Sequence, residues 1–178
     1  MTWRVVVTGS ECTGKTTLAR LLGAHLGAPW VREAARTYAE SRWGALTAAD
    51  VEPIARATQD ALHAALARSP AVLVADTDLV STMVYARAYY GDCPAWIEAA
   101  CRAELADLYL LCTPDLPWEP DGVRDRPTTN DRRAMHDAFA GALHQLGARV
   151  VPISGLGEAR TALALKAVSD LLPREGTP

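Results

Sequence analysis

The sequence predicts an α/β fold, a five-stranded parallel sheet with helices on both faces. Two observations carry that expectation. Short apolar runs alternate with segments of helical spacing along the whole chain. The first of those runs leads straight into Gly9-Ser10-Glu11-Cys12-Thr13-Gly14-Lys15-Thr16. That stretch matches G-x-x-x-x-G-K-[ST], the phosphate-binding P-loop, in the strand–loop–helix context that the motif requires. The fold class is therefore that of a P-loop NTPase.

Residues 3–8, Trp-Arg-Val-Val-Val-Thr, read as a buried strand. Helix one, about 15–26, places Leu18, Leu21, Leu22 and Leu26 at helical spacing. A weak strand at 29–32 precedes a helix over 33–43. Thr47-Ala48-Ala49-Asp50 opens the next helix, which runs to about 68; the Thr47 hydroxyl suits a cap and Asp50 the first turn. Residues 71–75 are continuously apolar and end at Asp76, as a strand buried on both faces should. Helices follow at 78–90, stopped by Gly91, and at 94–105, with Pro94 in the first turn. Residues 108–112 form the fourth strand. A loop rich in Pro, Asp and Arg covers 113–129, and a helix covers 130–146. The last strand, 149–153, contains Pro152, which is tolerable at a strand end or a sheet edge. A final helix spans about 157–172. One domain over 1–172 and a flexible tail over 173–178 complete the expectation.

At 178 residues the chain is large enough for one real core. No apolar run approaches the roughly 20 residues that span a bilayer, and no basic region with an apolar stretch behind it marks a signal peptide. A net charge of −3 argues against a large nucleic-acid footprint. Cys12, Cys93, Cys101 and Cys112 are scattered, without a C-x-x-C pair. They read as reduced thiols of a cytoplasmic protein, with Cys12 a small filler of the loop. The oligomeric state stays open.

Ligands of open parallel sheets bind beyond the carboxyl ends of the strands, so polar residues there are the candidates. The loop from Gly9 through Glu11, Cys12, Thr13 and Gly14 to Lys15, Thr16 and Thr17 should hold a nucleotide. Its N–H groups form an anion nest, and the helix dipole adds to it. Lys15 serves the β- and γ-phosphates and is not expected in the core; Thr16 serves Mg²⁺. After the second strand, Glu33 either accepts a substrate hydroxyl proton, holds a ribose hydroxyl, or merely favours a helix N-terminus. Arg36 and Tyr38 follow it and suit the substrate. Asp76, first out of the third strand, has the form of a Walker B acid that holds Mg²⁺ with Thr16. Asp78 could bond substrate or cap the next helix, and capping is the stronger reading if one Asp alone is functional.

The 113–129 loop is long for a compact domain, which suits a lid or binding loop. Arg124 and Arg126 would meet phosphates there, and Trp118 and Asp121 the substrate. Arg132 and Arg133 read as solvated partners of Asp121, Asp125 and Asp131. Gly155, after the last strand, would border adenine by fold analogy.

Taken together these stations resemble the ribosylnicotinamide (nicotinamide riboside) kinase domain of the bacterial NadR proteins, in a stand-alone form. The likeness rests on the G-S-E-C-T-G-K-T-T-L loop, E-A-A-R-T-Y at 33–38, Thr47–Asp50 with Gln59, D-T-D at 76–78, D-L-Y-L-L at 107–111 and P-W-E-P-D-G-V-R at 117–124. Lys15, Thr16, Glu33, Arg36, Asp76, Asp78, Trp118, Asp121 and Arg124 sit on matching positions. The resemblance implies a nucleoside-kinase-like fold and an ATP- and Mg²⁺-dependent phosphorylation of the ribose 5′-hydroxyl of nicotinamide riboside, a step of NAD biosynthesis. Two other readings are a kinase for another nucleoside-like alcohol or thiamine, and a P-loop ATPase switch without an acceptor.

Overall fold

The computed structural model describes residues 1–41, 45–117 and 128–172. Trp118, Asp121, Arg124, Arg126 and the tail expected at 173–178 lie outside the described residues. The elements are β1 (Trp3–Thr8), α1 (Lys15–Leu26), β2 (Trp30–Val31), α2 (Ala34–Glu40), α3 (Val51–Leu66), β3 (Val72–Asp76), α4 (Leu79–Tyr90), α5 (Ala95–Ala103), β4 (Leu108–Cys112), α6 (Thr129–Gln145), β5 (Val150–Ile153) and α7 (Gly157–Ser169). Five parallel strands lie in the order β2-β3-β1-β4-β5. The α/β class and the five strands are as the sequence predicts.

The sheet separates two apolar cores, and the period-2 alternation of β1 assigns its residues to them. Val5 and Val7 pack with Leu18, Leu22, Ala164 and Val168 of α1 and α7. Val6 faces the opposite side, with Leu79, Met83, Ile97 and Phe139 of α4, α5 and α6. Both faces of β1 and β4 are thus covered, which is why these strands read as unbroken apolar runs. The register pairs Val7 with Asp76 and Val6 with Tyr109. The carboxyl ends of β1, β3 and β4 therefore share one rim.

Local chemistry sets the ends of the elements. α1 starts after Gly14 at φ 73° and stops at Gly27 at φ 58°. There the Ala28 N–H reaches the Gly23 carbonyl at 2.9 Å, the Schellman arrangement that only an αL residue permits cheaply. The segment before α3 is a 3₁₀ turn, Ala48–Asp50, rather than the first turn of an α-helix. The Asp50 carboxylate accepts from the Thr47 N–H at 2.8 Å and the Thr47 hydroxyl at 2.9 Å, which tightens that turn. α2 is shorter than the sequence suggests and ends at Glu40. Pro152 lies exposed in β5, which pairs with β4 alone among the described strands and forms the sheet edge.

Candidate active site

The loop between β1 and α1 owes its course to glycine. Gly9 sits at φ 132°, and a Cβ there would lie 2.7 Å from the Cys112 carbonyl oxygen of β4. Side chains with a Cβ are excluded on both counts. Cys12 takes φ 56° and Gly14 φ 73°, left-handed steps of the kind from which anion-binding nests are built. Thr13 braces the loop, its hydroxyl donating to the Ser10 carbonyl at 2.7 Å. Lys15 donates to the same carbonyl at 2.9 Å. Contrary to the sequence expectation, Lys15 is buried, with 8% of its surface exposed. The side chain is covered while its ammonium meets a carbonyl, a common arrangement for an amphipathic side chain. Thr17 is exposed on α1, in a groove it shares with Gly14, Leu116, Glu158 and Thr161.

Asp76, the last residue of β3, accepts from the Thr16 hydroxyl through Oδ2 at 2.5 Å. Its Oδ1 is buried without a partner among the described residues. An orphaned carboxylate oxygen beside a threonine hydroxyl fits Mg²⁺, which uses one or two protein oxygens and takes the rest from water and phosphate. Burial pushes the Asp76 pKa up, against the Thr16 hydrogen bond and the charges of Lys15, Arg36 and Arg32. Glu33, which precedes α2, feels the same surroundings. Burial raises its pKa as well, the Lys15 charge opposes that, and the Asp76 charge adds to it. Lys15, Glu33, Asp76 and Arg36 thus form one charged cluster over neighbouring strand ends. A carboxylate whose pKa is raised is a stronger base than a free glutamate.

Asp78 and Tyr38, both expected near the substrate, also make bonds within the fold. Asp78 is buried, accepts from the Val80 N–H at 3.0 Å as the α4 N-cap, and accepts from the Tyr109 hydroxyl at 2.6 Å. Thr77, at φ 69°, turns the chain so that Asp76 faces the loop and Asp78 the core. Burial lifts the Asp78 pKa to about 6, against those two hydrogen bonds. A small, partly open pocket of about 30 Å³ beside Asp78, Arg4 and Cys101 has room for only a water or two. Tyr38 donates to Asp50 at 2.9 Å and so joins α2 to the turn before α3. Among the remaining loop residues, the Cys12 thiol lies 3.4 Å from the Pro117 carbonyl, and Glu11 is partly buried.

Two arginines depart from the sequence reading. Arg132 is not the solvated side chain that the sequence suggested. It is buried in α6 and donates to the Pro114 and Leu116 carbonyls, because the first turn of α6 passes behind that loop. Arg160 of α7 received no role from the sequence, yet it is 5% exposed and lies behind the phosphate loop. It donates to Thr13 O at 2.7 Å, to Asp115 Oδ1 at 3.0 Å and to Gly155 O at 3.1 Å. Asp115 in turn accepts from the Gly155 N–H at 2.7 Å and the Thr113 hydroxyl at 2.9 Å. Burial works against ionisation of Asp115, but those donors and Arg160 hold its pKa below the usual range. An arginine on an otherwise amphipathic helix carries no sequence signal of such a position.

A family model described as AAA domain matches residues 4–160. The chain belongs to this AAA domain family. Among relatives of the AAA domain, the Trifunctional NAD biosynthesis/regulator protein NadR of Salmonella typhimurium is 28% identical over 145 residues. That alignment takes in 79% of this chain and 35% of NadR. A crystal structure of NadR protein in complex with NR superposes with a TM-score of 0.78 at 28% identity, over 99% of this chain and 54% of that one. A second, of NadR with NAD and AMP-PNP, gives 0.78 at 26%, over 99% and 52%. This AAA domain thus spans about a third of the curated relative and about half of the solved NadR chains.

Proposed function

We propose that this chain transfers the γ-phosphoryl group of ATP, with Mg²⁺, to the ribose 5′-hydroxyl of nicotinamide riboside, giving the mononucleotide and ADP. The observation that carries the reading is the meeting of Lys15, Thr16, Asp76 and Glu33 at neighbouring strand ends, in a chain similar over 99% of its length to NadR bound to NR. The AMP-PNP complex of the same relative supports ATP as donor. With ATP as donor and thiols kept reduced, the cytoplasm is the natural compartment. No helix among the described residues is long and apolar enough to cross a membrane.

Each residue has a task in that reaction. The N–H groups of the loop and the Lys15 ammonium offset the charge of the β- and γ-phosphates. Thr16 and Asp76 would hold the metal, which supplies further charge stabilisation on the phosphate oxygens. Glu33 orients the acceptor hydroxyl and takes its proton as the new P–O bond forms and the bond to ADP breaks. The Lys15 charge, and behind it that of Arg36, favours the ionised forms of Glu33 and Asp76 against the burial that raises their pKa. Roles for Arg124 and Arg126 at the phosphates, and for Trp118 and Asp121 at the acceptor, rest on the sequence.

The test is a panel of nicotinamide riboside, thymidine and thiamine with ATP and Mg²⁺, read by ADP release and by product mass. Phosphorylated nicotinamide riboside is the expected product. Slow ADP release that ignores every acceptor would replace the kinase reading by an ATPase switch. Turnover of another acceptor alone would keep the kinase and change its substrate.

A further inference from the structure

The guanidinium of Arg160 lies directly behind the phosphate loop and touches three loops at once. These are the loop after β1 through Thr13, the loop after β4 through Asp115, and the loop after β5 through Gly155. Its contact with Thr13 has a geometric consequence. A trans peptide is planar, and its C=O and N–H point in opposite directions. No peptide bond is cis among the described residues. Pinning the Thr13 oxygen to α7 at 2.7 Å therefore turns the N–H of Gly14 away from α7, toward the hollow of the loop. Gly14, at φ 73°, has little intrinsic preference that would hold this peptide plane. The Thr13 hydroxyl ties the side chain to Ser10, and the contact on the Thr13 carbonyl comes from α7.

Asp115 completes the clamp. It receives Arg160 on one oxygen and the Gly155 N–H and Thr113 hydroxyl on the other. A buried guanidinium without such a partner would be costly, so the pair stands or falls together. From this geometry we propose that Arg160, clamped by Asp115, is a positioning residue for nucleotide binding. It fixes the Thr13–Gly14 peptide so that the loop presents a formed anion site before the phosphates arrive. The benefit is preorganisation, since a loop already in its bound shape loses less freedom on binding. The same group also holds the Gly155 loop.

The inference rests on the nucleotide-binding part of the proposed function, and titration with Mg²⁺ and AMP-PNP separates the two. A wild-type chain that binds no AMP-PNP sinks that function itself. With wild-type binding established, Arg160→Met keeps the bulk and removes the donors. We expect its Kd to rise about tenfold or more, the scale of one charge-assisted hydrogen bond. In Arg160→Ala, millimolar guanidinium should restore much of the affinity, which a purely space-filling role would not allow. An unchanged Kd in Arg160→Met, or a loss in Arg160→Ala that guanidinium leaves untouched, overturns the proposal. Should both variants fail to fold, Asp115→Asn loosens the clamp at nearly constant volume. A raised Kd there supports the proposal, and a wild-type Kd overturns it.

Discussion

Replacing Lys15 with alanine takes away the ammonium held 2.9 Å from the Ser10 carbonyl, inside the phosphate loop. Phosphoryl transfer should be lost, with the circular dichroism spectrum unchanged; normal turnover in a folded Lys15→Ala protein would contradict the loop's role. Glu33→Gln keeps the shape of the side chain and removes its charge. We expect kcat to fall by roughly 10²–10⁴, the usual worth of a placed general base, with little change in AMP-PNP affinity. The pH profile gives a second reading of the same residue. A base must be deprotonated, and burial raises the Glu33 pKa in the free protein, so wild-type kcat/KM should decline with acid at a pH above the ordinary glutamate range. That acid limb should vanish in Glu33→Gln, and its persistence would assign it elsewhere. Asp76→Asn should cost more Mg²⁺-dependent rate than Asp78→Asn, since Thr16 bonds the first while Val80 and Tyr109 occupy the second.

α4 shows how an element can depend on one buried acid. Asp78 caps it and is bonded by Tyr109 from β4. Its pKa rises from 3.8 to about 6 on folding, so the folded state holds the proton more tightly. The linked stability is complete below the unfolded value and is lost as pH climbs through the folded one. Thermal melts of wild type should therefore lose stability between about pH 4 and pH 6 relative to Asp78→Asn. Parallel curves for the two proteins would remove Asp78 as the cause. The same element marks what the sequence could disclose. Its capping role for Asp78 was legible as one of two options, because Asp before an apolar helix is a cap pattern. The inward turn that settles its orientation hangs on Thr77 at φ 69°, which no local pattern announces. β1, the phosphate loop and α1 were legible because the motif prescribes all three. The bond from the Tyr38 hydroxyl to Asp50 was not legible, because that carboxylate comes from another element. Arg132 read as solvated and Arg160 received no role for a related reason, since their partners are backbone carbonyls and an acid 5 to 147 positions away in the chain.

For the molecule as a whole, nucleotide should act as a stabiliser. AMP-PNP with Mg²⁺ at a hundred times its Kd adds about 2.7 kcal/mol by mass action, or roughly 5–10 °C in Tm for a chain of this size. Chelating Mg²⁺ with EDTA should remove most of that shift if Thr16 and Asp76 hold the ion. A melt indifferent to nucleotide would speak against the site as a whole. Arg160 predicts more at this scale, because the loops after β1, β4 and β5 share it as an anchor and should gain hydrogen-exchange protection together. The two margins of the sheet have a different consequence. β2 offers only Trp30 and Val31, and β5 carries Pro152, which has no N–H to donate. A stranger's extended segment docking on either side would find too short a ladder or a missing rung. The protein should therefore resist edge-to-edge aggregation at high concentration, a safeguard written into its outermost strands.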